Sequence, residues 1–372
     1  MKFQRYGAVA GVAVAAAVAL SACGSDNNGG STSSTTSSAA GGSSTASACP
    51  SGTLNVAGST AQQNAMSQWI KDYQTKCTGV TVNYNGNGSG AGFTSFVQKQ
   101  ADFAGSDYAL SSTQAGQVTS QSRCGSGAAV DIPVVPGAIA VIFNVPGVTS
   151  LNLSAKNLAA IYNGTITTWN DPAIKADNPS VTNLPNLKIQ PFMRSDTSGT
   201  SYNFSAYLNA LGGFAAANKQ FPSKTAQGVA KSSGVAAKVQ ATSGGLGYVE
   251  YSYATQDKIS YAAVSNSAGK FVPLTQDNAA NFIAQAKVNQ TGEDTKLAFN
   301  YQYAADNAYP NVLVTYEIAC GTGNDSGQLA LIKGFLTYVT SSAAQTELTG
   351  LGYVPLPAQI ATADASVVSS LQ

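Results

Sequence analysis

Apolar and polar positions run along this chain in two rhythms. Short apolar stretches read as strands at residues 53–57, 80–84, 102–105, 188–192, 247–251 and 259–264. Residues 139–144 and 312–318 are continuously apolar, as expected of strands covered on both faces of a sheet. Between the strands, amphipathic stretches predict helices over 62–76, 90–100, 155–162, 200–211, 278–287 and 328–348. In the first of these, Ala65, Trp69 and Tyr73 recur every fourth residue and share one face. Strands alternating with helices point to an α/β fold. Segments rich in Pro and Gly at 133–137 and 309–311 each meet a hydrophobic strand. Two such crossings let a chain leave one lobe, build a second, and return. No internal repeat is visible.

The N-terminus follows a different logic. Lys2 and Arg5 precede an apolar run over 7–20 that is too short and Ala-rich for a good membrane span, the layout of a signal peptide. The run ends in Leu20-Ser21-Ala22-Cys23-Gly24, which resembles the lipobox of bacterial lipoproteins. That resemblance implies removal of residues 1–22 and a lipid, with acyl chains such as palmitate, on Cys23. Residues 23–48 are then a tether of Ser, Thr, Gly and Asn that cannot bury enough surface to fold. The folded body is expected to begin near Cys49.

Composition narrows the chemistry. The chain has 372 residues, 44% hydrophobic and only 10% charged, with a net charge of +1. It is long enough for two lobes with their own cores, and it lacks the clustered Lys and Arg of a nucleic-acid surface. It contains no histidine. That disfavours zinc hydrolases and Ser-His-Asp hydrolases. With Cys23 lipidated, Cys49, Cys77, Cys124 and Cys320 remain. An even set in an exported protein suggests two disulfides, for which three connectivities exist. Cys49 precedes the first strand and Cys77 ends the helix after it, so Cys49–Cys77 with Cys124–Cys320 is the favoured pairing. Their spacing is not that of a zinc site, and no metal or cofactor is expected.

Four polar turns stand at the ends of predicted strands. They are Gly58-Ser59-Thr60-Ala61, the run from Gly86 to Gly92, Gly105-Ser106-Asp107, and Arg194-Ser195-Asp196-Thr197-Ser198-Gly199-Thr200. Three of them open helices, where free N–H groups and the positive dipole end favour an anion. Ser and Thr add donors, and one Arg can supply a bidentate charged pair. Each turn alone is as well explained by a helix cap, a loop or a local ion pair. Their coincidence points to an oxyanion.

On these residues the chain resembles the phosphate-binding proteins of the high-affinity phosphate ABC transporter. The resemblance spans nearly the whole body. It includes Gly58-Ser59-Thr60 with Trp69, Asp102-Phe103-Ala104-Gly105-Ser106-Asp107, and Thr168-Trp169-Asn170-Asp171-Pro172. Its most specific segment is Arg194 to Ser201, and Gly245-Leu246-Gly247-Tyr248-Val249-Glu250-Tyr251 continues it. It implies a two-lobed periplasmic-binding-protein-like fold, with two crossing hinge strands and a ligand cleft between the lobes. One lobe is expected over 49–135 and 312–372, the other over 136–311. In the implied phosphate site, Thr60, Ser89, Ser198 and Thr200 give hydroxyls, and Ala61, Gly199 and Thr200 give backbone N–H groups. Arg194 gives its guanidinium, held by Asp196, while Asp107 accepts a hydrogen from phosphate. Family members often carry an aromatic residue where this chain has Ala61.

The expected function is binding without chemistry. The chain captures inorganic phosphate outside the cytoplasmic membrane and delivers it to an ABC-type permease, as a lipid-anchored monomer. The alternatives are a carrier of another oxyanion such as sulfate or molybdate, an exported phosphatase-like enzyme, or a surface adhesin with vestigial binding. Asp107 argues against a fully deprotonated oxyanion, which offers it no hydrogen.

Overall fold

The structure is a computed structural model that describes residues 49–372. The expected signal peptide, Cys23 and the tether lie outside those residues. Twelve helices and thirteen strands are seen among the described residues.

The first stretch winds β1 (Gly52–Gly58), α1 (Gln63–Lys76), β2 (Val80–Gly86), α2 (Ser89–Val97), β3 (Phe103–Ser106) and α3 (Ser112–Ser120). The long β4 (Ala129–Asn144) follows, then β5 (Asn152–Leu153), α4 (Ala155–Tyr162), α5 (Pro172–Asp177), β6 (Gln190–Arg194) and α6 (Gly199–Gly212). Next come β7 (Gln227–Val229), α7 (Ser232–Ala241), β8 (Gly245–Glu250), α8 (Tyr251–Gln256), β9 (Ala263–Ser265), β10 (Phe271–Val272) and α9 (Gln276–Ile283). The hairpin β11 (Lys287–Thr291) and β12 (Asp294–Ala298) leads to β13 (Val312–Cys320). Then α10 (Leu329–Val339), α11 (Ser342–Gly350) and α12 (Ala358–Ser370) close the chain.

Eight strands form one sheet in the order β2-β1-β3-β13-β4-β8-β6-β7. The β2-β1-β3 and β8-β6-β7 segments are parallel, as expected of strands joined through helices. Between them β4 and β13 run antiparallel, from Ala129↔Cys320 to Ala138↔Val312. Each strand feeds both of the two larger cores. Val134 and Val135 of β4 pack with Leu54, Trp69, Phe103 and Phe335, whereas Ala138 to Phe143 pack with Tyr162, Phe204 and Tyr248. On β13, Ala319 belongs to the first core and Leu313 to the second. A mixed α/β chain with two cores strung on two crossing strands is a two-lobed fold.

Several expectations shift. The Pro/Gly segment 133–137 does not interrupt the strand, because β4 passes straight through it. Pro133 sits beside a register shift opposite Thr315/Tyr316, and Pro136 pairs in register with Val314. The single helix expected over 328–348 is two, since Ser341 caps a new start by accepting from Ala344 N at 3.4 Å. The strand expected over 259–264 shrinks to β9, and Lys287 opens β11 instead of ending a helix. Helices α3, α5, α7, α8 and α12 were not anticipated, being polar, short or weakly periodic.

Cys49 is joined to Cys77, and Cys124 to Cys320. The first bridge closes a separation of 28 residues, a loop whose constraint on the unfolded chain contributes about 3–4 kcal/mol. The β11–β12 hairpin leaves the second core and lies against β4. There Asp294 Oδ1 accepts from Asp131 N at 3.0 Å and Tyr316 OH accepts from Leu297 N at 3.0 Å.

Candidate functional site

The four polar turns converge where the two cores face each other. Thr60 ends the β1 turn, Ser89 opens α2, Asp107 follows β3, and Arg194 ends β6 with Ser198 to Thr200 opening α6. All are buried; Arg194 is 2% exposed and Asp107 3%. The lobes are closed on one another here. Asn203 Nδ2 donates to Asp107 O at 2.6 Å, Gly90 N to Thr197 O at 3.1 Å, and Thr60 Oγ1 meets Ser232 Oγ at 2.9 Å. Glycine makes the approach possible at two points. Gly88 has φ +96°, and a Cβ on it would lie 2.6 Å from Asp196 Oδ2. A Cβ on Gly199 would lie 2.4 Å from Asp107 Cβ.

Arg194 is the organising cation. Its Nε donates to Asp196 Oδ1 at 2.8 Å and its Nη2 to Asp196 Oδ2, a two-pronged pair. Lys231 N also donates to Asp196 Oδ1, at 3.0 Å. The remaining Nη1 reaches Ser232 Oγ at 3.0 Å and Thr200 Oγ1 at 3.4 Å. Burial alone would lower the guanidinium, but the Asp196 carboxylate, with Glu250 beyond it, holds it above its usual value. Burial also works to raise Asp196, and the Arg194 hydrogen bonds outweigh it and hold the carboxylate low.

The remaining residues supply donors. Ser198 caps α6 by accepting from Ser201 N at 3.2 Å, which leaves its own hydrogen to give. The first-turn amides of Gly199 and Thr200 have no partner within their helix, as at any helix start. Ala61 is different, because its N–H donates to Ser59 Oγ at 2.9 Å. Tyr253 OH and Tyr353 OH donate to the carbonyls of Thr60 and Ala61, at 2.9 and 2.7 Å.

Two carboxylates face this donor set. Asp107 accepts from Thr315 Oγ1 at 2.7 Å and from Ser89 Oγ at 3.2 Å. Burial, with the Glu250 charge adding to it, pushes Asp107 up to about 6. Glu250, at the end of β8, accepts from Thr200 Oγ1 at 2.6 Å.

The comparisons with known proteins fit this architecture. The family described as the PBP superfamily domain matches residues 43–343. The Phosphate-binding protein PstS3 of Mycobacterium bovis is 40% identical over 377 residues, covering 100% of both chains. The chain belongs to the PBP superfamily, among the PstS phosphate-binding proteins. A second relative, Phosphate-binding protein PstS 2 of Mycobacterium tuberculosis, is 38% identical over 380 residues, again covering 100% of both. Among solved structures, a "high affinity periplasmic phosphate-binding protein (PfluDING) bound with phosphate" superposes with a TM-score of 0.69 at 22% identity. That superposition covers 86% of this chain and 93% of the other, and it supports the two-lobed PBP fold.

Within this PstS-type cleft, sequence reasoning missed Ser232, Glu250, Thr315 and Asn203. Ser232 opens α7, a helix too weakly periodic to be anticipated. Glu250 carried a usable signal: it is the one charged residue closing an otherwise apolar buried strand. Thr315 and Asn203 carry none, since only the fold brings them to Asp107.

Proposed function

We propose that this chain binds inorganic phosphate in its closed cleft and delivers it to the permease of an ABC-type transporter, acting as a binding protein and not an enzyme. The observation that carries the reading is the pairing of buried Arg194 with half-buried Asp196 before the α6 start, ringed by neutral hydroxyls. One guanidinium and many neutral donors suit a small tetrahedral oxyanion. Membership among the PstS proteins supports phosphate as that anion.

In this reading Arg194, Ser198, Gly199 and Thr200 bind from one lobe, and Thr60, Ser89 and Asp107 from the other, with Asp196 holding Arg194. The Ala61 amide contributes only if it leaves Ser59. The lobes comprise 49–135 with 312–372, and 136–311, the β11–β12 hairpin reaching from the second onto the first. The protein works as a monomer on the extracytoplasmic face, anchored through lipid on Cys23 and spaced from the membrane by residues 23–48. Calorimetric titration of the purified protein with phosphate, arsenate and sulfate tests the reading. Phosphate and arsenate are expected to bind and sulfate is not; equal affinity for sulfate and phosphate, or none for phosphate, overturns it.

A further inference from the structure

A cavity of about 410 Å³ lies beside the proposed phosphate site. Of the phosphate ligands named above, only Asp107 lines it. Its walls come from three parts of the chain. Tyr108 follows β3, Tyr202 is on α6 with Lys219 beyond that helix, and Lys296, Phe299 and Tyr301 lie on or just after β12. Small-molecule sites usually span about 300–1,000 Å³ and are lined by aromatic side chains with a few polar groups, as this one is.

Lys219 gives the cavity its chemistry. Its Nζ donates to Gln114 Oε1 at 3.0 Å and stands 3.8 Å from the centre of the Tyr108 ring. Among the described residues, no carboxylate lies within ion-pair distance of it. Burial pulls its ammonium below the usual lysine value, as expected of a charge that has lost water without gaining a counter-ion. Lys296, the other cation on the wall, is already matched, 2.8 Å from Asp294 and 3.5 Å from Asp131. Asp107 has its oxygens engaged by Thr315 and Ser89. The cavity therefore offers one unmatched positive charge among aromatic rings. A flat ring can pack on tyrosine and phenylalanine while a carboxylate attached to it meets the ammonium.

Both lobes build this cavity. Tyr108 and Gln114 belong to one, Tyr202 and Lys219 to the other, and the two tyrosine rings lie 5.7 Å apart. Asn203, on the same wall, donates to Asp107 O at 2.6 Å and to Gly199 O at 2.9 Å. A ligand that touches both lobes binds the closed form better than the open one, so it shifts the chain towards closure.

We propose that this cavity binds a small aromatic carboxylate, its carboxylate on Lys219 and its ring against the aromatic wall, and that occupancy favours the closed form that holds phosphate. The coupling rests on the phosphate reading above; the site itself does not.

The test titrates 2-naphthoate into the protein by calorimetry, with and without saturating phosphate. The wild type is expected to bind the acid saturably, and about fivefold or more tightly with phosphate present. 2-Naphthalenemethanol, with the same rings and no charge, should bind roughly tenfold more weakly than the acid. Lys219→Met keeps the length and removes the charge, and should bring the acid down to the level of the alcohol. Ala206→Trp, which fills the cavity from α6, should abolish binding of both. No saturable binding by the wild type, equal binding of acid and alcohol, or wild-type binding of the acid in Lys219→Met overturns the site. Mutual displacement of phosphate and 2-naphthoate overturns it too, since the acid would then be entering the anion cleft. Equal affinity for the acid with and without phosphate overturns the coupling. Should the wild type bind no phosphate, the phosphate reading and the coupling fail together, while loss of 2-naphthoate binding in Lys219→Met still supports the site.

Discussion

Gly199 stands against Asp107 so closely that a Cβ at position 199 would fall 2.4 Å from the Asp107 Cβ and 2.6 Å from its Oδ2. The start of α6 in one lobe thus seats directly on the acceptor carboxylate of the other. Gly199→Ala should leave each lobe folded and block full closure. Overpacking of this kind costs about 1–3 kcal/mol, equivalent to roughly 5- to 150-fold in phosphate affinity. Titration together with solution scattering checks it: weaker binding and a more open ligand-bound envelope are expected.

Arg194 is the one cation among the proposed ligands. Removing a buried, charge-assisted partner costs on the order of 2–5 kcal/mol of binding. Arg194→Ala should lose phosphate affinity accordingly. Arg194→Lys should recover little, because an ammonium cannot hold Asp196 through two prongs and still point a third donor at the anion. Wild-type affinity in either variant would contradict the site.

Asp107 is expected to set the phosphate-over-sulfate ratio. An ionised carboxylate can pair with a phosphate hydroxyl but meets sulfate as like charge. A site built around such a hydrogen bond rejects the analogue lacking it by about 10⁴-fold. Asp107→Asn removes the charge and adds a donor, so sulfate binding should rise while phosphate changes much less. Unchanged ratios at matched ionic strength would reduce Asp107 to a structural partner of Thr315 and Ser89.

Glu317 on β13 predicts a pH dependence of stability. It is 1% exposed, and neither carboxyl oxygen has a hydrogen-bond partner. Burial, with the Asp107 charge adding to it, pushes it up to about 8. A carboxyl raised in the folded state stabilises fully below the ordinary carboxylate range. That contribution is lost as pH rises, and is gone once the pH has passed through about 8. Glu317→Gln keeps the group neutral. Thermal melts should show the variant matching wild type near pH ~5 and exceeding it by roughly 1–3 kcal/mol near pH ~8.5. A constant difference across pH would refute the assignment.

The lipid anchor is tested by fractionation. Cys23→Ala should move the protein from the membrane to the soluble fraction and abolish lipid labelling. An unchanged distribution would argue for retention by another means.

The sequence by itself determined the α/β alternation, the two crossing strands and the four polar turns. Each is a local signal: a buried strand reads as an apolar run, and a helix start reads as Gly, Ser and Thr after a strand. The Arg194–Asp196 pair was legible for the same reason, its members being two residues apart. Tertiary structure alone decided which polar groups meet in the cleft. Thr60 bonds Ser232 across 172 residues and Asp107 bonds Thr315 across 208. Contacts at such separation leave no periodic trace, because each partner looks like any other Ser or Thr on its own strand or helix. Glu250 lies between the two cases. Its place at the end of an apolar strand was visible, but its meaning was not. A lone carboxylate becomes informative only when folding buries it beside Thr200 with one oxygen left unpartnered.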